Sequence, residues 1–510
     1  MSIKAHSMQK QRTSTDLSEQ AVLRSPRRDW LSRMGSGLGA IACAAMLRRD
    51  GFAMTNVPAE AAPAEAAPAE ADRGVHHAPR AKHVIEIFCP GGLSHVDTWD
   101  YKPELERLHG TPFDSELGKQ TFAGVAGKHA KSFWSFGQRG ESGLWMSDLF
   151  PKLSLCVDDM AFIHSMQSKS ALHGPAMFMM NSGFIQPGFP SMGAWVTYAL
   201  GSESDNLPEF VVLPDSRGLP PGGIINWGAG FLPAVHQGTV MEIGAGNEAI
   251  RDLFPARSLS RRSEQQGLSL LQEWNRQHAS QRQGDSLLEA RIASFELAGK
   301  LQLSAPEVVD LSQETAATHS RYALEDPDIG TFGKQCLLAR RLVERGVRFV
   351  QIYCGAENTS QKAIRPNWDS HEDILRDHGY WGRILDTGAS ALIEDLKARG
   401  LLESTLVICT SEFGRQPFMQ GEQKGRDHNP GAFTAWMAGG GVRGGVAYGS
   451  SDAIGFKAAE DPTYCYDLHA TALHLLGIDH QRLTFYHNGI QRRLTDVHGR
   501  VIPQILSNPH

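Results

Sequence analysis

Twice in this sequence an apolar run with helical spacing stops at a glycine and passes directly into a strand-like run. Leu337, Leu338 and Leu342 lead through Gly346 into Val347–Tyr353, and Ile384, Leu385, Leu392, Ile393 and Leu396 lead through Gly400 into Thr405–Thr410. A helix stopped by glycine and followed by a buried strand is the pattern of an α/β sheet with helices packed on it. Further strands are expected at His83–Phe88, Ala161–His164, Phe210–Leu213 and Ala432–Trp436. The fold class is therefore α/β, a mostly parallel sheet flanked by helices. The stretch 256–330 is rich in Gln, Ser, Arg and Glu, with Leu268, Leu270, Leu271 and Trp274 at helical spacing, and is expected to form a helical insertion or cap.

The charge balance narrows the partners. Fifty Lys and Arg stand against 56 Asp and Glu, a net charge of −6. That is not the balance of a nucleic-acid binder. With 41% hydrophobic residues the chain can bury a large core.

The first eighty residues read as an address and a tether. Arg27-Arg28 precede Trp30 and Leu31, and a weakly apolar run from Met34 to Leu47 follows, an order similar to a twin-arginine export signal. The run is about 14 residues long, short of the roughly 20 that cross a bilayer, so a leader over 1–50 is expected rather than a stable membrane anchor. Its partner would be the twin-arginine translocase, and the destination the periplasm or the outside of the cell. A Pro-Ala-Glu-Ala-Ala repeat beginning at Pro58 marks 51–80 as a linker, leaving 81–510 as the folded domain. The cysteines after Cys43 are widely spaced with no Cys-x-x-Cys pair, which removes zinc-ribbon and thioredoxin readings.

Polar clusters rich in His, Asp and Glu follow the expected strands. They are Ser94-His95-Val96-Asp97, Leu172-His173-Gly174-Pro175, Asn367-Trp368-Asp369-Ser370-His371, and Ser411-Glu412-Phe413-Gly414-Arg415 with Gly425-Arg426-Asp427-His428-Asn429. Loops at the carboxyl ends of parallel strands converge on one crevice, so residues distant in sequence can meet there. Imidazoles and carboxylates are the ligand set of zinc, manganese or iron, with calcium a further candidate, and one or two such ions would assist hydrolysis of a phosphate or sulfate ester. The glycine run Gly439 to Gly445 does not open a helix and is expected to be a turn-rich loop beside the site rather than a phosphate cradle.

At these residues, and at Gly91-Gly92-Leu93-Ser94-His95-Val96-Asp97-Thr98-Trp99-Asp100 and the tail Gly489 to Gly499, the chain resembles the family of exported bacterial proteins filed as domain of unknown function 1501, within the alkaline-phosphatase and sulfatase-like superfamily. The resemblance implies an alkaline-phosphatase-like sheet. It also implies a metal held by Asp369, His371 and His428, with Glu412, Asp427, His95 and Asp97 as candidates for a second. Where that superfamily has an acid after the first strand and an Asp-His pair later, this chain reads Gly91-Gly92 and Glu412-Phe413. His173 stands at the position of the sulfatase nucleophile, with Pro175 and Ser182-Gly183 at the matching offsets. It is expected to serve as ligand or general base, with Ser168 and Ser170 as alternative nucleophiles. Arg415 and Arg426 are candidates for binding the anionic ester, and a polysaccharide is a candidate carrier of it. The rival expectation is a catalytically degenerate, metal-containing binding protein of the cell envelope.

Overall fold

The computed structural model describes residues 72–113, 126–204, 206–243, 260–282, 288, 291–292, 306–357 and 365–507. The expected leader, and the linker up to residue 71, lie outside them. Residues 72–80 pack onto the domain: the Gly74 amide donates to the Ala199 carbonyl and the His76 amide to Gly477.

Nine strands form the main sheet among the described residues: β1 (His83–Phe88), β2 (Met160–Gln167), β3 (Phe210–Leu213), β4 (Thr239–Val240), β5 (Phe349–Tyr353), β6 (Thr405–Thr410), β7 (Phe433–Ala438), β8 (Val446–Tyr448) and β9 (Thr463–Tyr464). Their order is β8-β2-β7-β6-β1-β5-β3-β4, with β9 also paired to β2. Strand β7 runs antiparallel to both β2 and β6, while the remaining pairs are parallel. The sheet is thus mixed and mostly parallel, flanked by helices.

Strand β1 sits at its centre, and the two-residue period of a strand sorts its side chains. Ile85, Ile87 and Cys89 face one core with α4 (Gly330–Val343) and α5 (Ile374–Ala398). Val84 and Phe88 face the other, with α1 (His173–Ser182), α2 (Met192–Leu200) and α6 (Cys465–Leu475). Covering both faces is what permits uninterrupted apolar strands such as Phe210–Leu213, every residue of which is buried. Each large aliphatic or aromatic side chain buried this way contributes roughly 1.5–3 kcal/mol.

Within 256–330 the described residues form α3 (Arg261–Ser280) and the short helices Pro306–Val309 and Ala316–Arg321. No described helix is long and apolar enough to cross a membrane.

One expectation is corrected. The loop from Gly439 is turn-rich, but a Cβ at Gly439 would lie 2.5 Å from the carbonyl of Thr405, the first residue of β6. The antiparallel β7 delivers this loop to the sheet end opposite the polar clusters, which follow the last residues of the parallel strands.

Candidate metal centre

The parallel strands β1, β2, β5 and β6 all point their carboxyl ends at one edge, and the segments leaving them carry the polar residues. Strand β1 runs into Cys89–Gly92, β2 into the turn before His173, β5 toward Asp369 and His371, and β6 into Ser411 and Glu412. Strand β7 starts where the others end, so His428, just before it, reaches the same edge. There Gly414–Arg415 pairs antiparallel with His428–Asn429.

The Asp369 loop is seated on the β1 loop. The Trp368 amide donates to the Pro90 carbonyl at 3.0 Å, and the buried Trp368 indole donates to the Cys354 carbonyl at 3.1 Å. Gly91 has φ +109°, and a Cβ there would come within 2.4 Å of the Asp369 nitrogen. Its amide donates to Glu412 Oε1 at 2.8 Å. A carboxylate side chain at this position would push the Asp369 loop away.

Three imidazoles converge on one oxygen. Asp369 Oδ1 lies 2.8 Å from His371 Nε2, 3.2 Å from His428 Nε2 and 3.4 Å from His173 Nε2. Each ring is fixed from its far side through Nδ1: His173 by Glu412 Oε1 at 2.6 Å, His428 by the Ala171 carbonyl at 2.7 Å, and His371 by the Gln420 carboxamide oxygen. These partners accept, so Nδ1 carries the proton, and in a neutral ring Nε2 presents a lone pair to the centre. His371 Nε2 and His428 Nε2 are 3.0 Å apart. His173 Nε2 is buried without a hydrogen-bond partner, its approach to Asp369 being misaligned for one.

The donor set fits a divalent ion. Nitrogen and oxygen ligands at about 2.0–2.1 Å around a tetrahedral ion lie about 3.3 Å from one another. The spacings on Asp369 Oδ1 run from 2.8 to 3.4 Å, and the ligand atoms of His173, Asp369 and His428 all lie within 4.8 Å of one another.

Electrostatics keep the carboxylate charged. Burial would raise the Asp369 carboxyl, but the Arg415 guanidinium, and behind it the three imidazoles gathered on Oδ1, override it and hold the group well below the usual carboxylate range. Burial pushes His428 down to about 4, aided by the charge of Arg415 and opposed by its bond to Asp369. His173 behaves oppositely: burial would lower it, and the two carboxylates of Asp369 and Glu412 raise it to about 9.

The other residues singled out from the sequence take different places. Glu412 is fully buried and receives the Gly91 amide, the Ser411 hydroxyl at 3.0 Å and His173, so its contacts support a ligand rather than replace one. Arg415 is fully buried, donating to the carbonyls of Gly91, Gly92 and Arg426 and at 2.6 Å to Asp369 Oδ1. Its donors point at protein, not at a substrate. Arg426 and Asp97 pair at 2.8 Å with both side chains fully buried, and Arg426 also donates to the carbonyls of Ala130, Lys131 and Gln416. His95 is buried with Nε2 on the Gly455 carbonyl at 2.8 Å. Asp427 accepts the His428 amide at 2.8 Å. Ser170 and Leu172 bond within their own turn, and the Ser168 amide donates to Pro430. The structure thus gathers His173, Asp369, His371 and His428, with Glu412 and Arg415 behind them. The side-chain contacts of Arg426, Asp97 and His95 given above are to other parts of the fold, while Asp427 holds the His428 backbone.

Two site residues escape a reading of the sequence. Arg365 places Nη1 3.7 Å from Asp369 Oδ2 and pairs with Glu372, with its side chain 21% exposed. Its position four residues before Asp369 is the only trace of this. Gln420 lies between two motifs and carries no local signal.

A family model described as "Protein of unknown function (DUF1501)" matches residues 81–506. No curated protein matches the sequence. Among solved structures, the chain is similar to the PsFucS1 sulfatase of Pseudoalteromonas sp., with 12% identity over 81% of this chain and 74% of that one and a TM-score of 0.33. It is also similar to the C-terminal periplasmic domain of EcEptC from Escherichia coli in complex with Zn, with 9% identity over 80% and 86% and a TM-score of 0.34. The phosphonate monoester hydrolase SpPMH of Silicibacter pomeroyi gives 14% identity over 70% and 72% and a TM-score of 0.33.

Proposed function

The chain belongs to the family described as proteins of unknown function, DUF1501, and on that premise we propose that it is an exported, metal-dependent hydrolase of phosphate or sulfate esters. The observation that carries this reading is the convergence of His173, His371 and His428 on the single oxygen Asp369 Oδ1. These four residues would hold one divalent ion, of zinc, manganese or iron. A bound dication supplies Lewis acidity toward an ester oxygen.

The chain's own groups prepare the centre. Glu412 fixes the His173 ring, and Arg415 keeps Asp369 ionised against its burial. Arg365, paired with Glu372, stands at the partly exposed side of Asp369 and would lend its positive charge there to an anionic ester. The Ser170 hydroxyl bonds Leu172 within its own turn, and water is assigned as the attacking group. A polysaccharide ester lies within the proposed substrate class.

The test is a screen of aryl phosphates and aryl sulfates with the purified full chain, alongside His428→Ala. Turnover abolished in the variant supports the reading. Bound metal with no turnover of any ester replaces it with a metal-containing binding protein, for which the histidine at the expected nucleophile position speaks.

A further inference from the structure

Where the resemblance implies the acid and the imidazole of a second ion, this chain has Gly91-Gly92 and Phe413. Those residues do not fit an ion, and the structure shows what fills the space in its stead.

The phenyl ring of Phe413 is fully buried against two of the proposed ligands, its centroid 5.0 Å from the His173 ring and 4.5 Å from the His428 ring. It also closes on the β1 loop, where a Cβ at Gly92 would lie 2.8 Å from it. A hydrocarbon ring brings no nitrogen or oxygen to a divalent ion. The position next to Glu412 is therefore occupied by bulk without a ligand atom.

The same Cβ at Gly92 would lie 3.1 Å from Arg415 Nε, so ring and guanidinium meet at one glycine. Arg415 Nε donates to the Gly92 carbonyl at 2.9 Å, and Nη2 donates to the Gly91 carbonyl. Nη2 also donates at 2.6 Å to Asp369 Oδ1, the oxygen on which the three imidazoles meet. A guanidinium keeps its charge at any pH the fold survives. A permanent cation thus stands on the β1 loop, one hydrogen bond from the oxygen that faces the ion.

The remaining acid is engaged on both oxygens. Glu412 Oε1 accepts the Gly91 amide at 2.8 Å and lies 2.6 Å from His173 Nδ1, while Oε2 accepts the Ser411 hydroxyl at 3.0 Å. The Leu93 amide donates to Ser411 Oγ at 3.0 Å, which laces the β1 and β6 loops together once more. Room for another ion between these loops would come only by breaking those bonds, beside a like charge that repels it.

We infer that Arg415 is the second cation of this centre: its guanidinium, walled in by Phe413, holds the place that a second metal ion would take, and the centre accepts one ion only. The inference rests on the metal-dependent reading and adds to it the source of the second positive charge. Because the guanidinium and the ion would share Asp369 Oδ1, the fixed charge also works against the ion. Removing that charge is expected to tighten metal binding, whereas a merely structural role predicts weaker binding.

The experiment titrates the purified full chain with manganese by calorimetry and records the electron paramagnetic resonance of the loaded protein, for wild type, Arg415→Met and Arg415→Lys, with folding checked by circular dichroism. Wild type is expected to take one ion per chain and to show a spectrum free of manganese–manganese coupling. Arg415→Met is expected to bind it about tenfold tighter or more, and Arg415→Lys, which keeps the charge, to stay within about threefold of wild type. Two ions in wild type, or a coupled spectrum, overturns the inference and leaves the hydrolase reading standing. A folded Arg415→Met that binds manganese no tighter than wild type overturns it as well; should that variant not fold, the wild-type stoichiometry and the affinity of Arg415→Lys decide. A wild type that takes no ion removes the metal-dependent reading and the inference together.

Discussion

His371 and His428 face one another through Nε2 at 3.0 Å, each ring turned inward by an acceptor behind its Nδ1. Two imidazole lone pairs and a carboxylate oxygen at that separation repel unless a proton or a cation lies among them. The ionised Asp369 and the lowered His428 would supply lone pairs to a divalent ion, whose binding would displace the proton that Asp369 and Glu412 otherwise hold on His173.

The partners behind the rings govern how tightly that ion is held. Glu412→Gln keeps the shape of the side chain but weakens the grip on His173 Nδ1, and a loss of about 10–100-fold in metal affinity is expected. Competition with a chelating indicator measures it, and an affinity equal to wild type contradicts the supporting role of Glu412.

Arg426 and Asp97 test the fold rather than the chemistry. Each is fully buried against the other, so Arg426→Met leaves an uncompensated carboxylate in the core. Stability is expected to fall by about 3–5 kcal/mol, and the paired replacement Arg426→Met with Asp97→Leu to recover much of it. Urea unfolding reads both. A single variant as stable as wild type would remove the structural assignment.

Glu86 gives the protein a pH dependence away from the metal centre. Burial in the middle of β1 pushes its carboxyl up to about 8, against an ordinary 4.5, with a modest opposing bond from Gln351. The native state therefore holds a proton that the unfolded chain has released, and this contribution to stability falls as pH rises from about 4.5 to about 8, then levels off. Glu86→Gln is expected to match wild type near pH 4 and to exceed it by a few kcal/mol at pH 9. Parallel unfolding curves at the two pH values check this, and a difference independent of pH contradicts it.

Metal removal is expected to lower the melting temperature. An ion present at a hundredfold its Kd stabilises the native state by about 2.7 kcal/mol, and stripping it with a chelator removes that increment. Scanning calorimetry before and after restoring zinc or manganese shows the reversal. A melting temperature indifferent to both treatments counts against a site formed only in the folded chain.

Much of this architecture is legible in the residues themselves. The helix–glycine–strand units became α4 leading into β5 and α5 leading into β6, because a continuous apolar strand must be covered on both faces and its neighbours in sequence supply the cover. Strand-end clustering likewise places Asp369, His371 and His428 together, since parallel strands send their following loops to one edge. What the text hides is the second partner of each group. Arg415 and Arg426 look like anion binders in one dimension, and only the fold shows the backbone carbonyls and Asp97 that occupy their donors. Gln420 and the Ala171 carbonyl orient two imidazoles without any pattern in the sequence. Gly91 stands where an acid is expected, and its reason is a steric contact with a loop some 280 positions away in the numbering.

The central claim is that His173, Asp369, His371 and His428 hold one divalent ion. Elemental analysis of the purified full chain, beside Asp369→Asn, tests it most directly. One ion per chain in wild type, lost in the folded variant, is the expected result; a metal-free wild type that takes up no ion from added zinc, manganese or iron, or a variant that keeps its ion, contradicts the account.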